Sequence, residues 1–345
     1  MVARRAVVYI PAGSDDDLAM RRSLVALAIA SAIGCGKPPA EVPTAPRGSA
    51  KEAKQEARAL IEEAYRVLRD GDPVSLMGLL APDLFFVGPG PDEVGLDRSA
   101  AIELAGTFVD SRKKHKLRSL GLEIAGGPDG HSAWAIDQLE YDGHDLAVAV
   151  VAAQVDGLWT ITAIEVAEAL PARKRDRRAA PLPPLPRWKP PEAKVSAHAA
   201  PPREVAGLLT AAAGDEIVRL DQYGKQRDAA FVGGGPDEVE VGAKAIAKAW
   251  RKRSPTWQLD DTLAGATPDG GLAWVVAHGA LIGAPDRDDR DDRRRKRRDR
   301  DDDDRARDDE AAPAAGSPRR LFALYRNDGA GWDLALIHES APVAR

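Results

Sequence analysis

The stretch Phe86-Val87-Gly88-Pro89-Gly90-Pro91-Asp92-Glu93-Val94 returns almost letter for letter as Phe231-Val232-Gly233-Gly234-Gly235-Pro236-Asp237-Glu238-Val239. A nine-residue near-copy points to a folding unit present twice, and other landmarks recur around it. Gly71-Asp72 is matched by Gly214-Asp215, and Pro128-Asp129-Gly130 before Trp134 by Pro268-Asp269-Gly270 before Trp274. Trp159 is matched by Trp332, each opening a last apolar run. At 345 residues the chain has room for two domains. With 44% hydrophobic but only 5% aromatic residues, the expected cores are Ala-rich and small.

In the first half, Ser49-Ala50-Lys51-Glu52 has capping-box spacing. Ala53, Ala57, Leu60, Ile61, Ala64, Val67 and Leu68 then recur at helical period, up to the Asp70-Gly71-Asp72-Pro73 stop. A short helix near Val74–Leu80 precedes a strand at Leu84–Val87. Gly88-Pro89-Gly90-Pro91 must turn, and Asp92–Leu96 returns as the second arm of a hairpin. A third helix is expected from Ser99 to about Lys113. Strands follow at Leu117–Ala125, Ser132–Tyr141, Leu146–Val155 and Trp159–Val166, separated by Gly-Gly-Pro-Asp-Gly, Asp-Gly and Asp-Gly turns. This order predicts an α+β class: two tandem cone-shaped units, each a curved, mainly antiparallel sheet wrapped on about three helices. The expected boundaries are 49–169 for the first unit, 170–202 for a Pro- and Arg-rich linker serving as a solvated spacer, and 203–342 for the second.

The second unit carries one large insertion, 285–318. From Asp286 to Glu310 it is almost wholly Asp, Arg and Lys, with nothing apolar to bury, so disorder is expected there. Calcium is the sharper alternative for its Asp clusters. The EF-hand alternation is absent, however, and the interleaved arginines oppose a cation.

Before the first unit, Met20-Arg21-Arg22, an apolar run Leu24–Ile33 and Gly34-Cys35 have the form of a secretory signal. The run is too short to span a bilayer. Ser31-Ala32-Ile33-Gly34-Cys35 resembles a bacterial lipobox, which implies lipid attachment at Cys35, the one cysteine of the chain. The acidic residues Asp15-Asp16-Asp17 are foreign to such a signal and point to Met20 as the start. Residues 36–48 read as an extended tether. The expected address is the cell envelope, lipid-anchored, with the outer membrane favoured over the inner. The membrane is then one partner, with a small apolar ligand or another envelope protein left open as a second, and oligomerisation open too. A net charge of −5 argues against nucleic acid.

Gly71-Asp72 closing the first helix, Phe-Val-Gly before the third, the Phe86–Val94 hairpin and the terminal strand at Trp159 together resemble the nuclear transport factor 2-like superfamily. The SnoaL-like branch is the nearest within it. Trp332–Ser340 likewise resembles the way SnoaL-like domains finish. The resemblance implies a sheet curved round its helices with a pocket in the mouth of the cone. It also implies a test of activity, because ketosteroid isomerases of this superfamily place a general base early in the first strand. That register falls on Gly88 and Gly233, neither of which can accept a proton.

Other candidates come from strand alternation. Ala133, Ala135, Asp137, Leu139 and Tyr141 share one face, so Asp137 and Tyr141 are expected at a pocket, where a buried carboxyl would serve as acid or base. The plainer account of Asp137 is a structural hydrogen bond. His278 and His338 are candidate acid/base groups of the second unit, against the ordinary role of a satisfied strand histidine. Trp134 and Trp274 are expected as core or pocket wall. No residue set has metal-ligand or phosphate-loop spacing, so no metal and no cofactor is expected. The functional expectation is a non-catalytic ligand-binding or assembly module. A cyclase, isomerase or hydrolase with its pocket in the first unit is the alternative.

Overall fold

The structure is a computed structural model that describes residues 48–105, 114–187, 205, 228–236, 238–253, 256–282, 316–329 and 331–343. Cys35, most of the 36–48 tether and nearly all of the 285–318 insertion lie outside the described residues.

Helix α1 (Ala50–Asp70) opens with the expected capping box. Ser49 Oγ accepts from Glu52 N–H at 3.2 Å, and Ser49 N–H donates to Glu52 Oε2 at 2.8 Å, a motif worth about 1 kcal/mol. It ends at Gly71, which takes the left-handed conformation (φ 66°) while Gly71 and Asp72 N–H reach back to Leu68 and Val67 carbonyls. A side chain there would pay the left-handed penalty. Its buried stripe runs from Ala53 to Val67. Helix α2 (Pro73–Leu79) has proline in its first position and Asp72 as cap. It leads into β1 (Leu80–Val87), the hairpin partner β2 (Val94–Gly95) and α3 (Arg98–Ala105).

The first sheet is completed by β3 (Leu117–Ser119), β4 (Glu123–Gly126), β5 (Ser132–Tyr141), β6 (His144–Val155) and β7 (Leu158–Glu168), in the order β2-β1-β7-β6-β5-β3, with β4 also on β5. After helix α4 (Ala172–Arg178) the second sheet comprises β8 (Ala230–Val232), β9 (Val239–Val241), β10 (Thr256–Ala266), β11 (Leu272–Ile282), β12 (Ser317–Asn327) and β13 (Trp332–Ser340). Helix α5 (Ala243–Arg253) lies between β9 and β10. Read from its hairpin, the second sheet runs β9-β8-β13-β12-β11-β10. In both sheets the hairpin strand lies parallel to the last strand, and the remainder is an antiparallel meander. The fold is thus mixed α+β with two sheets and few helices. Among the described residues the second half shows α5 and a helical position at Val205, and residues 206–227 lie outside them.

The first sheet is buried on both faces. Along β6, Leu146, Val148, Val150 and Ala152 pack toward α1 and α2, while Ala147, Ala149 and Val151 join a cluster with the second sheet. Burial on both sides is why Leu146–Ala153 is almost continuously apolar instead of alternating with polar residues. On the second sheet Trp274, Val276, Phe322, Leu324 and Leu336 supply the bulk of that seam. Phe85 and Trp274 meet across it with ring centroids 6.2 Å apart.

Polar groups lock the seam at the two repeated turns. Glu93 folds beneath its own turn, accepting Gly90 N–H at 2.9 Å, and Glu238 does the same for Gly235 N–H at 3.0 Å. This accounts for the repeated Pro-Asp-Glu: the glutamate satisfies turn amides that would otherwise be buried unpaired. Each turn is then held by the far half. Val343 N–H donates to Pro89 O, and Leu170 N–H donates to Gly234 O, both at 2.9 Å. Val343 and Leu170 each stand eleven residues past the matched tryptophans, so the two clamps are reciprocal. Arg320, 1% exposed, inserts its guanidinium into the first turn, donating to Gly88 O (2.7 Å), Gly90 O and Pro91 O (both 3.2 Å).

The segment expected as a solvated spacer is partly packed. Ala180 N–H donates to Pro342 O, Leu185 is buried in the seam cluster, and Leu185 N–H donates to Asp261 Oδ2 at 2.7 Å. Its apolar residues, spaced among the prolines, bury against the second sheet; the remaining residues to 202 lie outside the described set.

Candidate functional site

The inward face of the first sheet and helices α1, α2 and α3 line a partly open cavity of about 140 Å³. Its wall is entirely apolar and includes Ile61, Tyr65, Leu76, Phe86, Tyr141 and Val150. The strand parity that buries Leu139 and Tyr141 toward the helices produces the inner wall, and the helical stripe of α1 produces the outer one. An apolar pocket of this size has room for a molecule of benzene dimensions.

Asp137 is 3% exposed and lies on the inward parity of β5, but it does not line the cavity. Its Oδ1 accepts Gly121 N–H at 3.1 Å. Beside it, Leu120 N–H donates to Gln138 O at 2.8 Å, so the pairing with β5 continues through the break between β3 and β4. Asp137 therefore braces that break. Burial raises its carboxyl above the ordinary range, opposed by the neighbouring Ser119 hydroxyl and the Gly121 amide. The Tyr65 hydroxyl is held well above 10 by burial and by the Asp137 charge. Tyr141 is likewise raised, by burial first and Asp142 second. Both phenols stay protonated at any physiological pH.

Tyr141 is braced from behind by a pair of residues that sequence reasoning missed. The His115 ring stacks on it at 5.3 Å between centroids, and His115 Nδ1 lies 2.8 Å from Asp142 Oδ2. Asp142 also accepts Lys116 N–H through its other oxygen at 2.8 Å and sits in the left-handed region (φ 48°) of the Asp142-Gly143 turn. His115 and Asp142 are 27 residues apart with no motif between them, so no spacing signal exists to find the pair.

The remaining sequence candidates, Trp134, Trp274, His278 and His338, do not line this cavity. Trp134 and Trp274 lie in the seam. Alternation carries that signal, since Trp134 is on the opposite parity from Asp137. His278 also faces the seam: it lies 2.9 Å from Pro183 O through Nδ1 and accepts Arg320 Nε–H at Nε2, at 3.2 Å. Burial, with Arg320 second, depresses it to about 4, so it is a neutral structural histidine. Burial also lowers Arg320 to about 10, against the pull of Glu165, Glu93 and Asp92. His338 is fully buried opposite Glu165, with Nδ1 3.0 Å from Oε2 but outside good hydrogen-bond alignment. Ser340 Oγ donates to the other Glu165 oxygen at 2.9 Å. Gly88 and Gly233 end their strands at the turns, and the Glu93 carboxylate occupies the space a side chain at Gly88 would need. Among the described residues no group of three or more His, Cys, Asp or Glu side chains could hold a metal ion.

Residues 57–165 match the family model of the SnoaL-like domain. Over that span the chain is similar to the SnoaL-like domain. That span contains most of the cavity wall, with Tyr65, Asp137, Tyr141 and the His115–Asp142 pair. Similar solved structures include a nuclear transport factor 2-like protein of unknown function from Pseudomonas putida, 16% identical, covering 36% of this chain and 91% of that one with a TM-score of 0.32. Another is an uncharacterized protein with a cystatin-like fold from Caulobacter vibrioides, 16% identical, covering 36% and 95%, with a TM-score of 0.31. No curated protein matches the chain.

Proposed function

We propose that the SnoaL-like half is a non-catalytic binding module for a small apolar molecule. The observation that carries this is the wall of the 140 Å³ cavity, which presents no acid, base or nucleophile to an occupant. Binding there is driven by burial of apolar surface in a preformed apolar site, worth about 25 cal/mol per Å² before the cost of immobilising the ligand. Enzymatic use of the same cavity would need Asp137 at its surface, whereas Asp137 braces the break between β3 and β4. The matching strand order and the reciprocal clamps support descent of the two halves from one duplicated unit. On this account the second half serves as a permanent partner that covers the outer face of the first sheet. Cys35, lipidated, would tether the assembly to the envelope membrane.

The test is a thermal-shift titration with benzene and toluene, paired with xenon-pressurised crystals. The expected result is a saturable rise in Tm and xenon density among Ile61, Tyr65 and Val150. Ligand at ten times its Kd adds about 1.4 kcal/mol to stability. An empty cavity under xenon together with an unmoved Tm would sink the proposal.

A further inference from the structure

The two Pro-Asp-Gly turns, 128–130 and 268–270, come from opposite halves and meet at the end of the seam. Asp129 Oδ1 accepts His131 N–H at 3.0 Å and Ser132 Oγ–H at 3.2 Å. Asp269 Oδ1 accepts Gly271 N–H at 3.1 Å. The Asp129 carboxyl lies directly against Gly271, where any Cβ would overlap Asp129 Oδ2 and crowd Ser132 Oγ. Glycine at 271 is what allows the approach. Both carboxyl groups therefore sit against Gly271, Asp129 half-buried with its Oδ2 unpartnered and Asp269 on the exposed side. Two carboxylates packed against one glycine cannot both carry charge without repulsion. A single proton on Asp129 Oδ2 gives that oxygen a bond to make and removes the repulsion.

We propose that Asp129 and Asp269 form a proton-operated clasp between the halves: sharing one proton they hold the turns together, and doubly charged they push them apart. The surroundings leave the pair to itself. The Ser132 hydroxyl and the His131 and Gly271 amides donate to it, while the Thr267 hydroxyl donates to Leu272 O. The His131 ring is engaged with Gln154 at 2.9 Å. Glu52, at the start of α1, is turned to Ser49, and Arg326, on β12 beside Gly271, is paired with Asp228 at 2.8 Å. Burial first, and Asp269 second, lift Asp129 to about 6; for Asp269 burial also pushes upward but is outweighed by Asp129 and the neighbouring donors, and the net shift is downward. Because Asp129 is raised on folding, its contribution is complete below about pH 4 and is lost as pH rises through about 6.

The experiment is urea unfolding of the full chain at pH 5.0 and 7.5, wild type against Asp129→Asn, whose amide keeps a donor toward Asp269 but cannot titrate. His278 weakens the fold on acidification in both proteins, so the quantity read is the ratio of their unfolding constants. That ratio is expected to change about tenfold between the two pH values in favour of wild type at pH 5.0. A ratio independent of pH would overturn the clasp. A carboxyl-carbon NMR titration of the wild-type chain decides the matter should the variant fail to fold. An Asp129 inflection near pH 6, moved downward by Asp269→Asn, supports the clasp, and an inflection near 4 refutes it.

Discussion

Replacing Ala64 by leucine probes the cavity through its own wall. Ala64 lies on α1, 5% exposed, with its side chain at the void. Leucine adds three carbons, roughly 80 Å³, and at about 24 cal/mol per Å³ of void filled this returns at most about 2 kcal/mol. Alanine and leucine have nearly the same helix propensity, so α1 itself is not taxed. Fitting a branched side chain into a preformed wall costs up to about 1 kcal/mol in rotamer strain. The expected net gain is about 1 kcal/mol, or roughly 2–4 °C in Tm for a folded unit of this size. Calorimetry with and without benzene measures both halves of the prediction: the variant melts higher, and benzene no longer raises its Tm. A variant that melts lower while retaining the full benzene response would place the void, and the ligand, somewhere other than among Ile61, Ala64 and Val150.

Arg320→Met should cost about 3–5 kcal/mol in urea unfolding, because three turn carbonyls and Glu165 lose a buried cation. Arg320→Lys should lose less, keeping the charge without the forked geometry. His278 is depressed to about 4, so its contribution is full above about pH 6.5 and disappears as pH falls through 4. Between pH 7 and 5 that amounts to about 2 kcal/mol, which His278→Gln should abolish in a pH series of unfolding curves. Cys35→Ala should release the protein from membranes, and mass spectrometry should find Cys35 acylated in the native protein. An unmodified thiol would end the lipid-anchor reading.

The parts of the fold legible in the sequence are those written in turn chemistry. The repeated Gly/Pro hairpins, the Pro-Asp-Gly and Asp-Gly turns and the Ser49 capping box placed α1, β5, β6 and β7 to within a few residues. Leu117–Ala125 reads as one strand but breaks at 120–122, because the side chain holding Gly121 N–H belongs to Asp137, sixteen residues away. The seam was hidden for a similar reason. Leu146–Ala153 announces burial on both faces, yet apolarity does not name the partner, and Arg320 reaches Gly88 across 232 residues. Pocket membership was half legible: parity put Asp137 and Tyr141 on the inner face and could have removed Trp134. The packed stretch around Leu185 escaped notice because its prolines resemble those of a free spacer.

Glu165 and His338 occupy the same place in their respective halves, six residues past the matched tryptophan, and they face one another in the seam. A copy of the first half meeting its own kind in this manner would bring two buried carboxylates together, and a copy of the second half would oppose two imidazoles. Each sheet is therefore addressed to the other and not to itself. Separated halves are expected to recognise each other in trans while staying apart from their own copies.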